Sequence, residues 1–391
     1  MRMRRLLVVL VALTALLAIP AAGCAPETPS AEGGGSAVTP AEAEEPEAEE
    51  QPTAAEGETY DFVLQLSAPI GTPYGDDVKK LAADIEGASG GRITIAVKSG
   101  GEIVPSHEVT DAVSKGVIDL AQPNSGMDVG RLGPVAYLFG SSGFPGGPNP
   151  MEYFAWFYQG GGREMVNQIY QDAGYNIHVI AQITGYPAEL LCHSNAEINS
   201  VDDFKGLSFR TMGPWADVIE SFGASVVTVP GGEIYEAAQR GVVDAFEYCG
   251  PGIDWTMGFH EITTHIGMPG IHSPMSSNML IMNRDEWDAL PSDLQEILRV
   301  AGEAHSLRDY LHVSTADAEA LLKYKEYGTK MFVLPDDVQQ AIVDRSREIA
   351  LQHCAEDELY KRIFDDQMEF ITMWKGRTDL LQPKYSLYTP D

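Results

Sequence analysis

Basic residues are scarce in this chain of 391 residues: 26 Lys and Arg stand against 57 Asp and Glu, for a formal charge of −31. A surface that acidic disfavours nucleic acid and anionic membrane as partners, although a single site can still attract an anion through its local charges. Cysteine is scarcer still, with four in all, and no CxxC or Cys/His spacing that would hold zinc or an iron–sulfur cluster. Long apolar runs are almost absent. The run Leu6 to Ile19 is short for a bilayer span, and nothing after residue 24 approaches the ~20 apolar residues a spanning helix needs. No HExxH or Ser-His-Asp pattern appears, the one GxSxG match (Gly87-Ala88-Ser89-Gly90-Gly91) falls between a helix pattern and a strand pattern rather than in a strand-to-helix turn, and the Gly-rich Tyr158-Gln159-Gly160-Gly161-Gly162-Arg163 is not followed by the GK[ST] of a phosphate loop.

What is present begins with an address. Arg2, Arg4 and Arg5 precede the apolar run, and Ala21-Ala22-Gly23 lead directly into Cys24. This is the arrangement of a secretory leader, residues 1–23, with a lipoprotein-type cut before Cys24, whose thiol would carry the lipid. An ordinary secretory leader or an uncleaved anchor are the alternatives. Residues 24–58 then run through Pro, Ala, Gly, Thr, Ser and ten glutamates with no Lys or Arg. Such a segment has too little to bury to offset its ordering entropy, and like charge extends it, so a disordered acidic linker is expected. Leader and linker together account for a net −7, which leaves −24 on residues 59–391. That remainder is long enough for two lobes with their own cores.

The remainder alternates strand and helix patterns. Thr59 to Leu66 alternates as a strand, Tyr74 to Ile85 carries Val78, Leu81, Ala82 and Ile85 at helical spacing, and Arg92 to Val97 is a second strand. Glu108 to Ser114 reads as a helix and Gly116 to Ala121 as a buried strand, which implies an α/β fold with a largely parallel sheet. The stretch EVTDAVSKGVIDLA (108–121) is echoed by EIYEAAQRGVVDAF (233–246). One βα unit in each half suggests two similar lobes, hence a hinged protein that closes on a ligand in its cleft.

The second half carries a longer pattern. Asp202-Asp203-Phe204-Lys205-Gly206-Leu207 leads to Arg210, then Gly223-Ala224, Gly232-Glu233-Ile234-Tyr235 and Gln239-Arg240-Gly241-Val242-Val243-Asp244. This ordered run resembles the DctP-type solute-binding proteins of tripartite ATP-independent periplasmic (TRAP) transporters. Gly101-Glu102-Ile103-Val104-Pro105, the YQGGG segment and Asn195-Ala196-Glu197-Ile198 are most similar to the branch that binds α-keto acids. The resemblance implies a two-lobed periplasmic-binding-protein-like α/β fold, with a ligand cleft between the lobes and long connecting helices. Lobe 1 is expected over about 59–182 plus a later return, and lobe 2 over about 183–274 plus the C-terminal helices. It implies a small-molecule carboxylate as ligand, a large and a small membrane subunit as partners, no enzymatic activity, and a homodimer. A binding protein of an ABC importer or sensor, or a metal-dependent hydrolase, are the competing classes.

Site residues follow from the same resemblance. Arg210 matches the arginine that grips the ligand carboxylate, and a guanidinium suits two carboxylate oxygens at once. The related branch holds a metal ion through a glutamine, a glutamate and the carbonyl of the next residue. Glu247 and Tyr248 match the last two, and Glu189 stands where the glutamine would be, within reach of both ion and substrate. Asn124 and Ser125 are expected to face the substrate's keto or hydroxy oxygen, and one of His272, Ser273, Ser277 and Asn278 to complete the ion's shell. Thr72 and Tyr74 are placed in a ligand loop. One guanidinium against Glu189, Glu247 and a ligand carboxylate leaves a net −2, which favours calcium over sodium. Cys192 and Cys249 are close enough in the pattern to pair.

Overall fold

The computed structural model describes residues 57–71, 73–140 and 144–383, with backbone alone at 73 and 74. The leader, Cys24, the acidic linker as far as residue 56, Thr72 and the last eight residues lie outside it, as does the side chain of Tyr74.

Among the described residues, eleven strands form two sheets. They are β1 Tyr60–Leu66, β2 Ile93–Lys98, β3 Leu120–Gln122, β4 Ile177–Gln182, β5 Cys192–Ser194, β6 Ser208–Arg210, β7 Ser225–Val227, β8 Ala245–Phe246, β9 His265–Met268, β10 Met279–Asn283 and β11 Lys330–Val333. The first sheet has the order β2-β1-β3-β10-β4, and the second β11-β9-β5-β8-β6-β7. In the first, β1 lies parallel to both β2 and β3. In the second, β6 lies parallel to both β7 and β8. The sequence echo is therefore a structural repeat. Its first copy runs through a 3₁₀ turn at Ser106–Glu108 and a helix at Val109–Ser114 into β3. Its second runs through a 3₁₀ turn at Gly231–Glu233 and a helix at Ile234–Gln239 into β8.

Each sheet also takes a strand from the other half of the chain. After β4 the backbone leaves the first sheet along residues 183–191 and enters the second as β5, antiparallel to β8 and β9. After β9 it returns along 269–278 and enters the first sheet as β10, antiparallel to β3 and β4. In the first sheet β10 lies between β3 and β4. The two crossings run side by side: Ile183 donates its amide to the Asn278 carbonyl at 2.9 Å, Tyr186 to Ser276 at 2.9 Å and Glu189 to Ser273 at 3.2 Å.

Among the described residues, twelve α-helices clothe the sheets: α1 Pro73–Ala88, α2 Val109–Ser114, α3 Val129–Leu132, α4 Pro150–Gln159, α5 Gly162–Asp172, α6 Pro214–Ser221, α7 Ile234–Gln239, α8 Pro251–Thr256, α9 Arg284–Ala289, α10 Ser292–Tyr327, α11 Asp336–Glu356 and α12 Glu358–Leu381. The 36-residue α10 spans both lobes, about 54 Å at the usual rise. Its start buries Leu294 and Leu298 against β1 and α1 in the first lobe, and its end buries Ala320 and Tyr324 beneath the second. Gly328, at φ +94°, ends it in the left-handed conformation that glycine adopts without a Cβ clash.

The C-terminal helices differ from expectation. Besides the end of α10, α11 reaches lobe 2 with its first half, placing Val338 and Ile342 in the core that holds Phe209 and Trp215, while its second half places Ala350 and Cys354 in the lobe 1 core. The last helix, α12, packs on lobe 1, with Tyr360, Ile363 and Phe364 in the core of Trp156 and Phe157. Trp156 donates its indole N–H to Asp366 at 2.6 Å, and Gln367 donates to the Leu138 carbonyl at 2.8 Å. Amphipathic pattern marks a helix's apolar face but not which lobe receives it, and the chain turns back at Asp357 to reach the first. Among the described residues no helix is long and apolar enough to cross a membrane.

Candidate functional site

The crossings and the C-terminal ends of β1, β3, β6 and β8 surround a cavity of about 380 Å³. Carboxyl ends of parallel strands are where open α/β sheets place ligands, because the loops there diverge. Lobe 1 supplies Ser67 to Pro69, Asn124 and Met127. Lobe 2 supplies Arg210 to Met212, Trp215, Glu247 and Tyr248, and the crossings supply Tyr186, Glu189, His272 and Asn278.

Arg210 ends β6 and is 3% exposed. Its Nε donates to the Val229 carbonyl at 3.1 Å, and its Nη1 donates to the Glu247 carbonyl at 2.8 Å and to the Glu247 carboxylate at 3.2 Å. The guanidinium is thus tied to the residues that follow β7 and β8, and Nη2 has no partner among the described residues. This departs from the expected two-pronged grip on a ligand, since one prong is already on Glu247.

Glu247, one residue past β8, is 7% exposed. Burial raises its carboxyl above the usual carboxylate range; Arg210 opposes that shift, and the neighbouring Glu189 adds to it. Glu189 comes from the first crossing and His272 from the second, with His272 Nε2 at 3.3 Å from a Glu189 carboxylate oxygen. One donor atom from each of Glu189, Glu247 and His272 lies within 4.8 Å of the others, all three residues buried. Two buried carboxylates, an imidazole and one guanidinium converge here although the residues span 189 to 272 in the chain.

That donor set fits a cation. Two carboxylates sharing one guanidinium are short of positive charge, and buried acids in that state are costly unless paired or metal-bound. The carboxylate oxygens suit calcium or sodium. Tyr248, the expected carbonyl donor, lines the same cavity, and burial pushes its phenol up to about 12. Its ring packs edge-on against Phe259.

The remaining expected residues divide. Asn124 lines the cavity, yet its side-chain oxygen accepts the Gly126 amide at 3.0 Å and caps the turn that follows. Ser125 is a correction: it is 1% exposed and is not one of the residues that line the cavity. The turn that exposes Asn124 points the next residue inward. Of the four candidates to complete the ion's shell, His272 sits beside Glu189. Ser277 instead donates to Gln182 and to the Thr184 carbonyl, whereas Asn278 lines the cavity with its side-chain oxygen unpartnered. Cys192, Cys249 and Cys354 are buried, and among the described residues no disulfide joins Cys192 to Cys249. Trp255 stacks on His260 and Trp287 on His178, as packing residues.

Trp215 was not singled out from the sequence. It follows Gly213 and Pro214 at the start of α6, lines the cavity, and lies 5.5 Å, ring to ring, from His272. Gly213, at φ +67°, turns the chain sharply after β6. A Gly-Pro pair three and four residues beyond the strand was the available signal for a residue presented to the cleft.

Known proteins share this architecture. The family described as bacterial extracellular solute-binding protein, family 7, matches residues 65–357. A monocarboxylate 2-oxoacid-binding periplasmic protein of Nostoc sp. is 31% identical over 303 residues, 77% of this chain and 80% of that protein. A TRAP periplasmic solute-binding protein of Colwellia psychrerythraea, solved with bound calcium and pyruvate, superposes with a TM-score of 0.76 at 28% identity, over 83% of this chain and 98% of that one. One from Pseudoalteromonas atlantica, with bound sodium and pyruvate, superposes at 0.74 with 27% identity, over 83% and 97%. With two lobes, a cleft at the strand ends and a matched span from residue 65 to 357, this chain belongs to family 7 of the bacterial extracellular solute-binding proteins, the DctP family.

Proposed function

We propose that the protein captures a small 2-oxo or 2-hydroxy monocarboxylate together with a metal ion and delivers it to the membrane subunits of a TRAP transporter. The observation that carries this reading is the convergence of Arg210, Glu189, Glu247 and His272 on one buried cavity. Calcium and pyruvate in the Colwellia protein, and the 2-oxoacid ligand of the Nostoc relative, support it.

In this reading Arg210 attracts the carboxylate, with Nη2 facing the cleft. Glu189, Glu247 and the Tyr248 carbonyl hold the ion. When bound, that ion supplies positive charge that offsets the two glutamates and coordinates ligand oxygens. A second glutamate favours calcium over sodium, because a monovalent ion leaves one negative charge uncompensated in a buried place. Asn124 shapes the lobe 1 wall. The body works outside the cytoplasm, held by lipid on Cys24 through the acidic linker. Mass spectrometry of the mature protein should find an acylated Cys24 as its first residue, and an unmodified or retained leader would overturn the anchor.

Calorimetry tests the main reading. Pyruvate should bind in calcium, bind less tightly in sodium, and bind weakly in EDTA. Equal binding in EDTA, with no metal found by elemental analysis, would remove the ion site and leave Arg210 to hold the carboxylate alone.

A further inference from the structure

The Glu247 carboxylate is where a ligand carboxylate would be expected: 3.2 Å from Arg210 Nη1, buried, and reinforced by the 2.8 Å bond from the same nitrogen to its own carbonyl. Arg210 also gives its Nε to Val229, so of its three nitrogens only Nη2 remains for an incoming anion. Glu189 differs. It carries the same charge in the same cluster, but its partner is His272, not Arg210.

We propose that Glu247 is an internal competitor for Arg210, so that cation binding controls access of the ligand carboxylate to the guanidinium. This rests on the binding reading above and concerns how that same site is regulated. The physical reasoning is one of exchange. A carboxylate already paired with a buried guanidinium must leave it, or share it, before a second carboxylate can make both parallel N–H bonds. Leaving is costly for a buried acid unless another positive charge receives it. A cation at the Glu189 and Glu247 oxygens is such a receiver. Ion and ligand then bind cooperatively through Glu247, even where they share no other contact, and each raises the affinity of the other by the same factor. Glu247 therefore has two opposed effects: it helps hold the ion, and without the ion it opposes the ligand.

That opposition gives a test by sign. A residue that only holds the ion weakens ligand binding when it is removed. A competitor, once removed, strengthens ligand binding in EDTA. Removing any negative charge near an anion also strengthens binding somewhat, so the control is Glu189→Gln, which deletes the same charge from the same cluster without freeing Arg210. The experiment is pyruvate calorimetry on wild type, Glu247→Gln and Glu189→Gln, each in EDTA and in calcium, with thermal melts to confirm folding. In EDTA, Glu247→Gln should bind pyruvate on the order of tenfold tighter than wild type, and clearly tighter than Glu189→Gln. Calcium should improve wild type strongly and Glu247→Gln little. Glu247→Ala repeats the comparison should the Gln variant fold poorly. A Glu247→Gln protein that binds no tighter in EDTA than wild type, or only as much tighter as Glu189→Gln, overturns the competitor. Calcium-dependent binding by wild type would still uphold the reading it rests on. Pyruvate binding in no form of the protein would bring down both.

Discussion

The two sheets are built alike and charged differently. In lobe 1, Gln65 of β1 lies opposite Ala121 of β3, and in lobe 2, Arg210 of β6 lies opposite Phe246 of β8. The repeat carries Ala121 onto Phe246, so it also carries Gln65 onto Arg210 and Gln122 onto Glu247. Lobe 1 thus has two neutral amides where lobe 2 has an ion pair. The amide of Gln65 is used up at home: its oxygen accepts the amides of Ile103 and Val104, and its nitrogen donates to the Val104 carbonyl. It staples the loop after β2. Arg210 and Glu247, at the equivalent places, keep their charged ends beside the cavity. The same scaffold makes a stiff wall in one half and a charge reader in the other, and two side chains separate the outcomes.

Converting the reader into the wall is the most damaging change. Arg210→Gln should remove the guanidinium, leave Glu247 buried without its partner, and cost about 2 to 5 kcal/mol of pyruvate binding in calcium. Arg210→Lys keeps the charge but not the planar fork, and should sit between wild type and the Gln variant. Calorimetry beside a thermal melt separates lost binding from lost fold. A Gln variant that binds as wild type does would mean that lobe 2 is as neutral a wall as lobe 1.

Much of this comparison was legible in the sequence, because its signals are local. Strand alternation, helical spacing and the echo at 108–121 and 233–246 lie within short windows, and the structure keeps the echo turn for turn. Arg210, Glu189 and Glu247 were all identified and all border the cavity. What stayed hidden depends on the crossings. Residues 183–191 and 269–278 have no regular period, since each serves a different neighbour at almost every position. Nothing in the sequence alone says that residue 189 meets residue 272, or that β10 runs antiparallel into the first sheet. Ser125 was misplaced because one turn decides whether a side chain faces cleft or core. Free side chains in a pattern also cannot reveal that Arg210 is already half engaged.

The crossings are where the two lobes can be uncoupled, and Gly270 is their tightest point. A Cβ added there would lie 2.0 Å from the Glu189 carbonyl oxygen and 2.6 Å from its carbon. Backbone, unlike the end of a flexible side chain, cannot swing aside. Gly270→Ala should push the crossings apart, move Glu189 from His272, and destabilise the fold by about 1 to 3 kcal/mol. Calcium affinity should fall more than the melt alone predicts, because Glu189 shifts while Arg210 does not. An alanine variant with wild-type melt and calcium affinity would show that the crossings tolerate separation and do not set the ion site.

The subtlest effect is expected where the lobes share a helix. Asp309 lies midway along α10 and is 1% exposed. One oxygen accepts the Gly185 amide of the first crossing at 2.8 Å. Burial pushes its carboxyl up to about 8; the Gly185 bond opposes that shift and Asp77 of α1 adds to it. Asp77 is itself held by Lys80 and His312, each at 2.7 Å. The folded protein therefore keeps a proton on Asp309 that the unfolded chain releases near the ordinary carboxylate value. Between roughly pH 4 and 8 the folded state binds more protons than the unfolded one, so this group makes stability fall as pH rises, by at most about 1.4 kcal/mol per pH unit. Above about pH 8 both states are deprotonated and the slope ends. His305, buried nearby with its imidazole held down to about 4 chiefly by burial, acts in the opposite direction between that value and its ordinary one. Wild type alone would thus show only the sum. Asp309→Asn retains a neutral side chain that can accept the Gly185 amide and lacks the titrating proton. Chemical denaturation of both proteins from pH 5 to 8 should give a difference that grows steadily in favour of the variant, with His305 cancelling between them. A difference independent of pH would mean that Asp309 stays ionised beside Asp77, and that the midpoint of α10 carries charge through the join between the lobes.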